Sequence, residues 1–365
     1  MSLVRLGLCA LAVCCAAAGA LAAPMPRYKH IFIIVAENRS FDQIIGRAEA
    51  PRLNALAKEY GLATRFYGEV HPSEGNYVAM LGGDTFGIHD DDAWFCEPYT
   101  ISTSCPHALL PGYVSHSTAA PSLMDQLAAA KLTWKGYFED LPAPGSLDIY
   151  GSGPGAPDAP AELYAAKHNG FINFERVRKD PELAQKIVPL GQLAADLAGD
   201  GAPNYAHIVL NQCNDMHGLW RPGPLADCVD ASALVRRGDA AIGGIVDRIM
   251  AAPLWAKADN AAIVITWDES GGNSAGVQGW CGYEPGSAAN FGGGHIPTIV
   301  ITNHGPRHAE DAEPYNHYSL LRTTEEAFGI GDYIGFAGAS DKGVKAMTPL
   351  FAVKEDGAAA AQAAR

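Results

Sequence analysis

HIFIIVAENRSFDQIIG, residues His30 to Gly46, decides how the chain folds. The unbroken apolar run Ile31 to Val35 suits a strand buried on both faces of a parallel sheet, and it stops at a carboxylate, Glu37, followed by Asn38. Ser40-Phe41-Asp42-Gln43 then has capping-box spacing, hydroxyl on one free helical N–H and amide on another, so a helix should begin there. This is a strand, loop, helix corner. Ligands of open α/β sheets collect beyond the carboxyl ends of such strands, which puts Glu37 where an active site is expected.

Outward from that corner, the N-terminal end carries Arg5, an apolar core from Leu6 to Ala18 and small residues up to Ala23, the pattern of a secretory signal over residues 1–23. It is too short for a spanning helix, and no later run approaches the roughly 20 apolar residues a crossing needs. A secreted or periplasmic protein is expected. No linker divides the rest, so residues 24–353 read as a single domain and 354–365, alanine-rich without periodic large residues, as a frayed tail. Gly151 to Pro160 reads as a surface insertion. The formal net charge of -14, without a Lys/Arg cluster, excludes a nucleic-acid surface and means that phosphate would have to be handled with a cation. Five cysteines follow the signal: Cys96 and Cys105, and Cys213 and Cys228, are close enough to pair in an oxidising compartment, with Cys281 left over and connectivity open.

Pro51 to Tyr60 reads as a helix stopped by Gly61, Thr64 to Val70 as a strand, and Ser73 as the N-cap of a helix through Val78 to Leu81. Ser122 to Leu132 is an amphipathic helix, Thr133 to Phe138 a strand, and Ala206 to Leu210 a strand that runs into Asn211-Gln212-Cys213-Asn214-Asp215-Met216-His217. A long helix, Ala231 to Met250, precedes the strand Ala261 to Trp267, which ends in Asp268-Glu269; Ile296 to Thr302 is a further strand and Ser319 to Phe328 the last helix. Alternation of this kind implies an α/β fold with a mostly parallel sheet covered on both faces.

Three strands thus finish in hard ligands: Glu37 with Asn38, Asp215 with His217, and Asp268 with Glu269. Each piece alone is more often a cap or a solvated charge, but carboxylates converging in one crevice repel unless a cation neutralises them, so a divalent metal of open identity is expected. Ser73, at the positive end of a helix, supplies a hydroxyl that such a cation could activate, set against the plainer reading of an N-cap serine. Gly272-Asn273-Ser274-Ala275-Gly276 matches the serine-esterase pattern, yet its strand has already ended and no apolar helix follows, so it reads as a glycine loop. His295 and His304 are weaker candidates, and His71, His89 and Asp90 to Asp92 read as surface loop.

IFIIVAENRSFDQIIG resembles the opening motif of the phosphoesterase family that contains bacterial phospholipases C and secreted acid phosphatases. HPSEGNYVAMLGGDTFGI, KGYFEDLP, YAAKHNGFINF, CNDMHG, ITWDESGG and YNHYSLLRTTE resemble, in order, later blocks of the family's short secreted acid phosphatases, from about Lys29 to Ile330. The resemblance implies a three-layer sandwich, a central mostly parallel sheet between helices, as in the alkaline phosphatase superfamily. It implies that Glu37, Asn38, Asp268 and Glu269 bind the metal, that Ser73 is the nucleophile, and that Asn38 and Asn76 contact phosphate. Asp215 and His217 match the block for a second metal or for leaving-group contacts; their spacing departs from the two-metal members, which argues for one metal. His168 and His317 match histidines of later blocks that bind phosphate or protonate the leaving oxygen.

The expectation is therefore an exported metal-dependent acid phosphatase that hydrolyses small phosphate monoesters, phosphoinositides or other phospholipid headgroups among them, through a phosphoserine. A phospholipase C-like diesterase is the alternative. An exported anion-binding protein without turnover is the alternative of another class, disfavoured because a pure anion binder gains from donors and loses from carboxylates.

Overall fold

A computed structural model describes residues 24–153, 162–199, 201–219, 225–271 and 292–353. The signal, the insertion beyond Gly153, the Ser274 loop, Cys281 and the tail lie outside the described residues.

The apolar run after Lys29 forms β1 (His30–Ala36), buried along its whole length, as does the run that forms β6 (Ala261–Trp267). Between them in sequence lie β2 (Gly61–Tyr67), β3 (Trp134–Phe138), β4 (Ile187–Pro189) and β5 (Tyr205–Val209), and after them β7 (His295–Thr302), β8 (Ala309–Asp311) and β9 (Tyr315–Asn316). Together they make one nine-stranded sheet in the order β8-β2-β7-β6-β1-β5-β3-β4, with β9 also on β2. All pairings are parallel except those of β7, which runs against both β2 and β6. The sheet is the centre of a three-layer α/β sandwich.

Helices cover it in two groups. α2 (Pro51–Glu59) turns Leu53, Leu56 and Ala57 inward and packs with the long α5 (Ala231–Ala251), where Asp239 receives the free Arg52 and Leu53 N–H groups at 3.1 and 2.8 Å. α3 (Glu74–Gly82) packs with α6 (His317–Phe328). Every residue of α3 is buried. The helix that begins at Ser122, α4 (Leu123–Ala129), ends before the expected Leu132. At the first corner, Gln43 Oε1 accepts the Ser40 N–H at 2.8 Å and starts the short α1 (Phe41–Ile44), so the expected capping box is present.

Both ends of β2 differ from expectation. Gly61 opens β2 rather than merely stopping α2, so the strand lies three residues earlier than the apolar pattern suggested. Residues 68–72 are left as the loop that leads to Ser73. Cysteine pairing is Cys96–Cys105 and Cys213–Cys228.

Candidate active site

Register builds the site. β1 pairs with β6 so that Ala36 lies opposite Trp267, which makes Glu37 and Asp268 the first residues beyond two adjacent parallel strands. The Asn38 N–H, carried on a left-handed turn at φ 52°, donates to Asp268 Oδ1 at 3.0 Å and locks the two ends together. On the other side β5 pairs with β1, and the loop that follows returns so that the Asp215 carbonyl accepts the Glu37 N–H at 2.8 Å. The three strand ends converge as expected.

Ser73 closes the group from above. It precedes α3 but has helical dihedrals itself, and its side chain caps no helical N–H. Instead its hydroxyl donates to Glu37 Oε1, with Glu269 Oε1 at 3.3 Å. One turn on, the Tyr77 hydroxyl donates to Glu37 Oε2 at 2.8 Å. Glu37 therefore receives two hydroxyls from one helix, and a third donor, Asn38 Nδ2, at 3.0 Å.

A second cluster shares Glu37. His168 is buried and stacked on Tyr77, with Nε2 3.3 Å from Glu37 Oε1 and Nδ1 3.3 Å from Asp215 Oδ2. Asp215 also accepts the His217 N–H at 2.7 Å, and His217 Nδ1 meets the Gly218 carbonyl at 2.7 Å. Burial opposes charge on His168, but Glu37 and Asp215 carry it up to about 9; burial and nearby Lys167 bring His217 down to about 4. Burial would raise Glu37, yet His168 holds it below the usual carboxylate range, while burial together with Glu37 and Glu269 pushes Asp268 well above it.

The donor set fits a cation. Ligand atoms of Glu37, Asp268 and Glu269 lie within 4.8 Å of one another, as do those of Glu37, His168 and His217. Glu37, Asp215 and Asp268 are wholly shielded and Glu269 nearly so, and Asp268 Oδ2 has no hydrogen-bond partner among the described residues. Buried carboxylates in such proximity, one with an orphaned oxygen, are stable when a positive ion sits between them. Asp215 belongs to neither ligand group; it holds His168.

Two expected substrate contacts are turned elsewhere. Asn76 Oδ1 accepts the N–H groups of Glu69 and Val70 at 2.8 and 3.1 Å and Nδ2 donates to the Val70 carbonyl at 2.8 Å, so the side chain braces the loop before Ser73. His317 is fully buried, with Nδ1 on Glu69 Oε2 at 2.5 Å and Nε2 on the Trp267 carbonyl at 2.8 Å, which leaves neither nitrogen for substrate. The surface-loop reading of residues 71 and 90–92 is also corrected. His71 Nδ1 is 2.5 Å from Glu269 Oε2, and Asp90 and Asp92 are buried.

Sequence reasoning missed Tyr77, Lys167, Asp91, His71 and Arg39. Lys167 Nζ reaches Asp91 Oδ2 at 2.9 Å and His217 Nε2 at 3.3 Å. Tyr77 follows Ser73 by one helical turn, so spacing held a signal for it. Beside the site, Asn38, Arg39, Gln43, His217 and Gly218 line part of a cavity of about 390 Å³, where Arg39 donates to the Met216 carbonyl at 2.6 Å. At its edge, a Cβ on Gly271 would lie 2.8 Å from the Asn38 carbonyl oxygen, so a larger residue there would have to shift the backbone of the first corner.

Comparison with known proteins gives the family and the fold. A model of the Phosphoesterase family matches residues 47–331. The chain is 30% identical over 312 residues to a phosphatidylinositol-3-phosphatase of Mycobacterium tuberculosis, across 86% of this chain and 81% of that protein. It is 29% identical over 190 residues to an acid phosphatase of Aspergillus fumigatus, across 52% of this chain but only 37% of the fungal protein. Among solved structures, an alkaline phosphatase superfamily protein from Vibrio parahaemolyticus superposes with a TM-score of 0.50 at 14% identity, covering 84% of this chain and 68% of that one, a likeness of fold.

Proposed function

The chain belongs to the phosphoesterase family, hydrolases of phosphoric ester bonds, and from that premise we propose that it is an exported, metal-dependent acid phosphatase that cleaves phosphate monoesters through a phosphoserine at Ser73. The observation that carries this reading is the Ser73 hydroxyl, which is aimed at buried Glu37 and Glu269 rather than spent on capping its helix. An N-cap serine would accept a helical N–H.

Glu37, Asp268 and Glu269, with Asn38 beside them, are the residues that would hold the ion. A divalent cation there supplies Lewis acidity that favours the serine alkoxide and offsets charge on phosphoryl oxygens. The chain does the rest. The Ser73 proton is directed at Glu37 Oε1, so the oxygen can form a bond to phosphorus as the bond to the leaving alcohol breaks. His168, with Nε2 3.3 Å from Glu37 Oε1 and Nδ1 3.3 Å from Asp215 Oδ2, is the group that would give a proton to the leaving oxygen. Water then cleaves the phosphoserine and restores the hydroxyl.

Export is supported by two disulfides, which persist in oxidising compartments, and no helix among the described residues is long and apolar enough to cross a membrane. The Mycobacterium relative's name makes lipid-linked monoesters the first natural substrates to offer. The test is phosphate release from an aryl phosphate, with and without chelator, by wild type and Ser73→Ala. Wild type should release phosphate, chelator should abolish it reversibly, and Ser73→Ala should lose at least a thousandfold in kcat while melting like wild type. Full activity of the alanine variant removes Ser73 from the mechanism; release of phosphocholine rather than phosphate from a phosphatidylcholine substrate replaces the monoesterase by a diesterase.

A further inference from the structure

The second ligand group, Glu37, His168 and His217, looks ready for a second ion, but Lys167 is already there. The Gly218 carbonyl, 2.7 Å from His217 Nδ1, can only accept, so Nδ1 carries the proton of the neutral ring and Nε2 keeps the lone pair. That lone pair is the one a metal would need. It faces Lys167 Nζ at 3.3 Å, and the ammonium is fixed from its other side by Asp91 Oδ2 at 2.9 Å. Asp91 is itself anchored, since its other oxygen accepts the N–H of Glu74 at the start of α3, at 3.2 Å. The lysine side chain is only 17% exposed, so it is held in the site rather than waving over it.

We infer that the Lys167 ammonium takes the place of a second metal ion: the site holds one divalent cation, at Glu37, Asp268 and Glu269, and a protein-supplied positive charge on the His217 side. One lone pair cannot serve both an N–H donor and a metal, and two cations at adjacent positions repel in a buried site. Charge on the His217 side is then provided without an ion that chelation could remove. Asp91 and the start of α3 set where that charge sits relative to Ser73.

The inference rests on the metal-dependent reading above, and the experiment separates the two. Full-length protein is stripped with chelator, offered excess Mn2+, Zn2+ or Ca2+ in turn, freed of loose ion and analysed for bound metal per chain. Wild type should retain one equivalent of the ion it prefers. Lys167→Met, similar in length but uncharged, should retain two, and adding His217→Ala should return the count to one; Lys167→Arg should stay at one. Lys167→Gln provides a polar replacement for the same count, with thermal melts showing which variants are folded. Two equivalents in wild type, or one in folded Lys167→Met and Lys167→Gln, overturn the inference and leave the phosphatase reading standing. No retained metal in wild type overturns the metal-dependent reading, and this inference with it.

Discussion

Glu37 is the residue on which the others depend, and its two oxygens divide the work. Oε1 faces the Ser73 hydroxyl, Asn38 Nδ2 and His168, while Oε2 takes the Tyr77 hydroxyl at 2.8 Å. A hydrogen bond to a charged group contributes about 1.5–3 kcal/mol, and here it fixes the carboxylate against which the serine is aimed. Tyr77→Phe should therefore slow aryl phosphate turnover on the order of ten- to a hundredfold in kcat with KM nearly unchanged; a change confined to KM would place Tyr77 on the substrate instead. His317 gives the contrasting case. Both its nitrogens bind protein atoms, so His317→Asn should lower the melting temperature by several degrees before it alters kcat at a temperature where the variant is folded. Glu37, Asp268 and Glu269 were legible because strand ends advertise them, and Ser73 because a helix start does. Lys167, His71 and Asp91 were not, since their partners lie 50 to 198 residues away and contact is made only by the fold. Asn76 and His317 show the opposite error: a residue can stand in a motif because it holds the backbone of a site whose chemistry others perform.

Whole elements matter through register. β1 and β6 matched expectation within a residue because strands buried on both faces must be apolar throughout, and their in-step pairing sets Glu37 beside Asp268. β4, β8 and β9 escaped notice; segments of two or three residues carry no periodicity, and they form only because a neighbouring strand offers unpaired backbone. The antiparallel course of β7 was likewise hidden, as an apolar run has no direction. α3 is the element most exposed to small changes, because it is buried throughout and aims Ser73 from its first turn. A Cβ on Gly75 would lie 2.5 Å from the Ile88 carbonyl oxygen and 2.7 Å from Val70 Cγ2, in the segments that follow and precede the helix. Gly75→Ala should thus cost about 1–3 kcal/mol of stability by overpacking, and the displaced helix start should cut kcat further than the stability loss explains. Denaturation and kinetics on the same preparation check this; an alanine variant as active and as stable as wild type would show that the loop at Ile88 yields freely.

At the scale of the molecule, a buried charge network ties α3 to the disulfide-closed excursion that follows it. His116 has no exposed side-chain surface; Nδ1 lies 3.1 Å from Glu74 Oε2 and Nε2 3.0 Å from Asp90 Oδ1, with the Tyr113 ring stacked on it at 5.4 Å. Its backbone N–H donates to the Cys96 carbonyl at 3.0 Å, beside the Cys96–Cys105 bridge. Burial opposes charge on His116, yet Asp90 and Glu74 raise it from 6.5 to about 10, and burial raises Glu74 from 4.5 to about 7 despite His116 and Asn173. Both folded-state values lie above their unfolded ones, so both groups bind protons more tightly in the folded chain. The stability from His116 is then fully present below about pH 6.5 and lost as pH rises through about 10; that from Glu74 is full below about 4.5 and lost through about 7. The signs agree, and the protein should be weaker on the alkaline side. His116→Gln keeps a polar side chain but cannot take up the proton. Urea midpoints for wild type and His116→Gln between pH 6 and 10 should converge as pH rises, with the variant clearly less stable at pH 6 and the gap much reduced near pH 10. A gap that stays constant would mean that His116 acts through packing alone, and one that widens would mean that the ring is neutral between its two carboxylates.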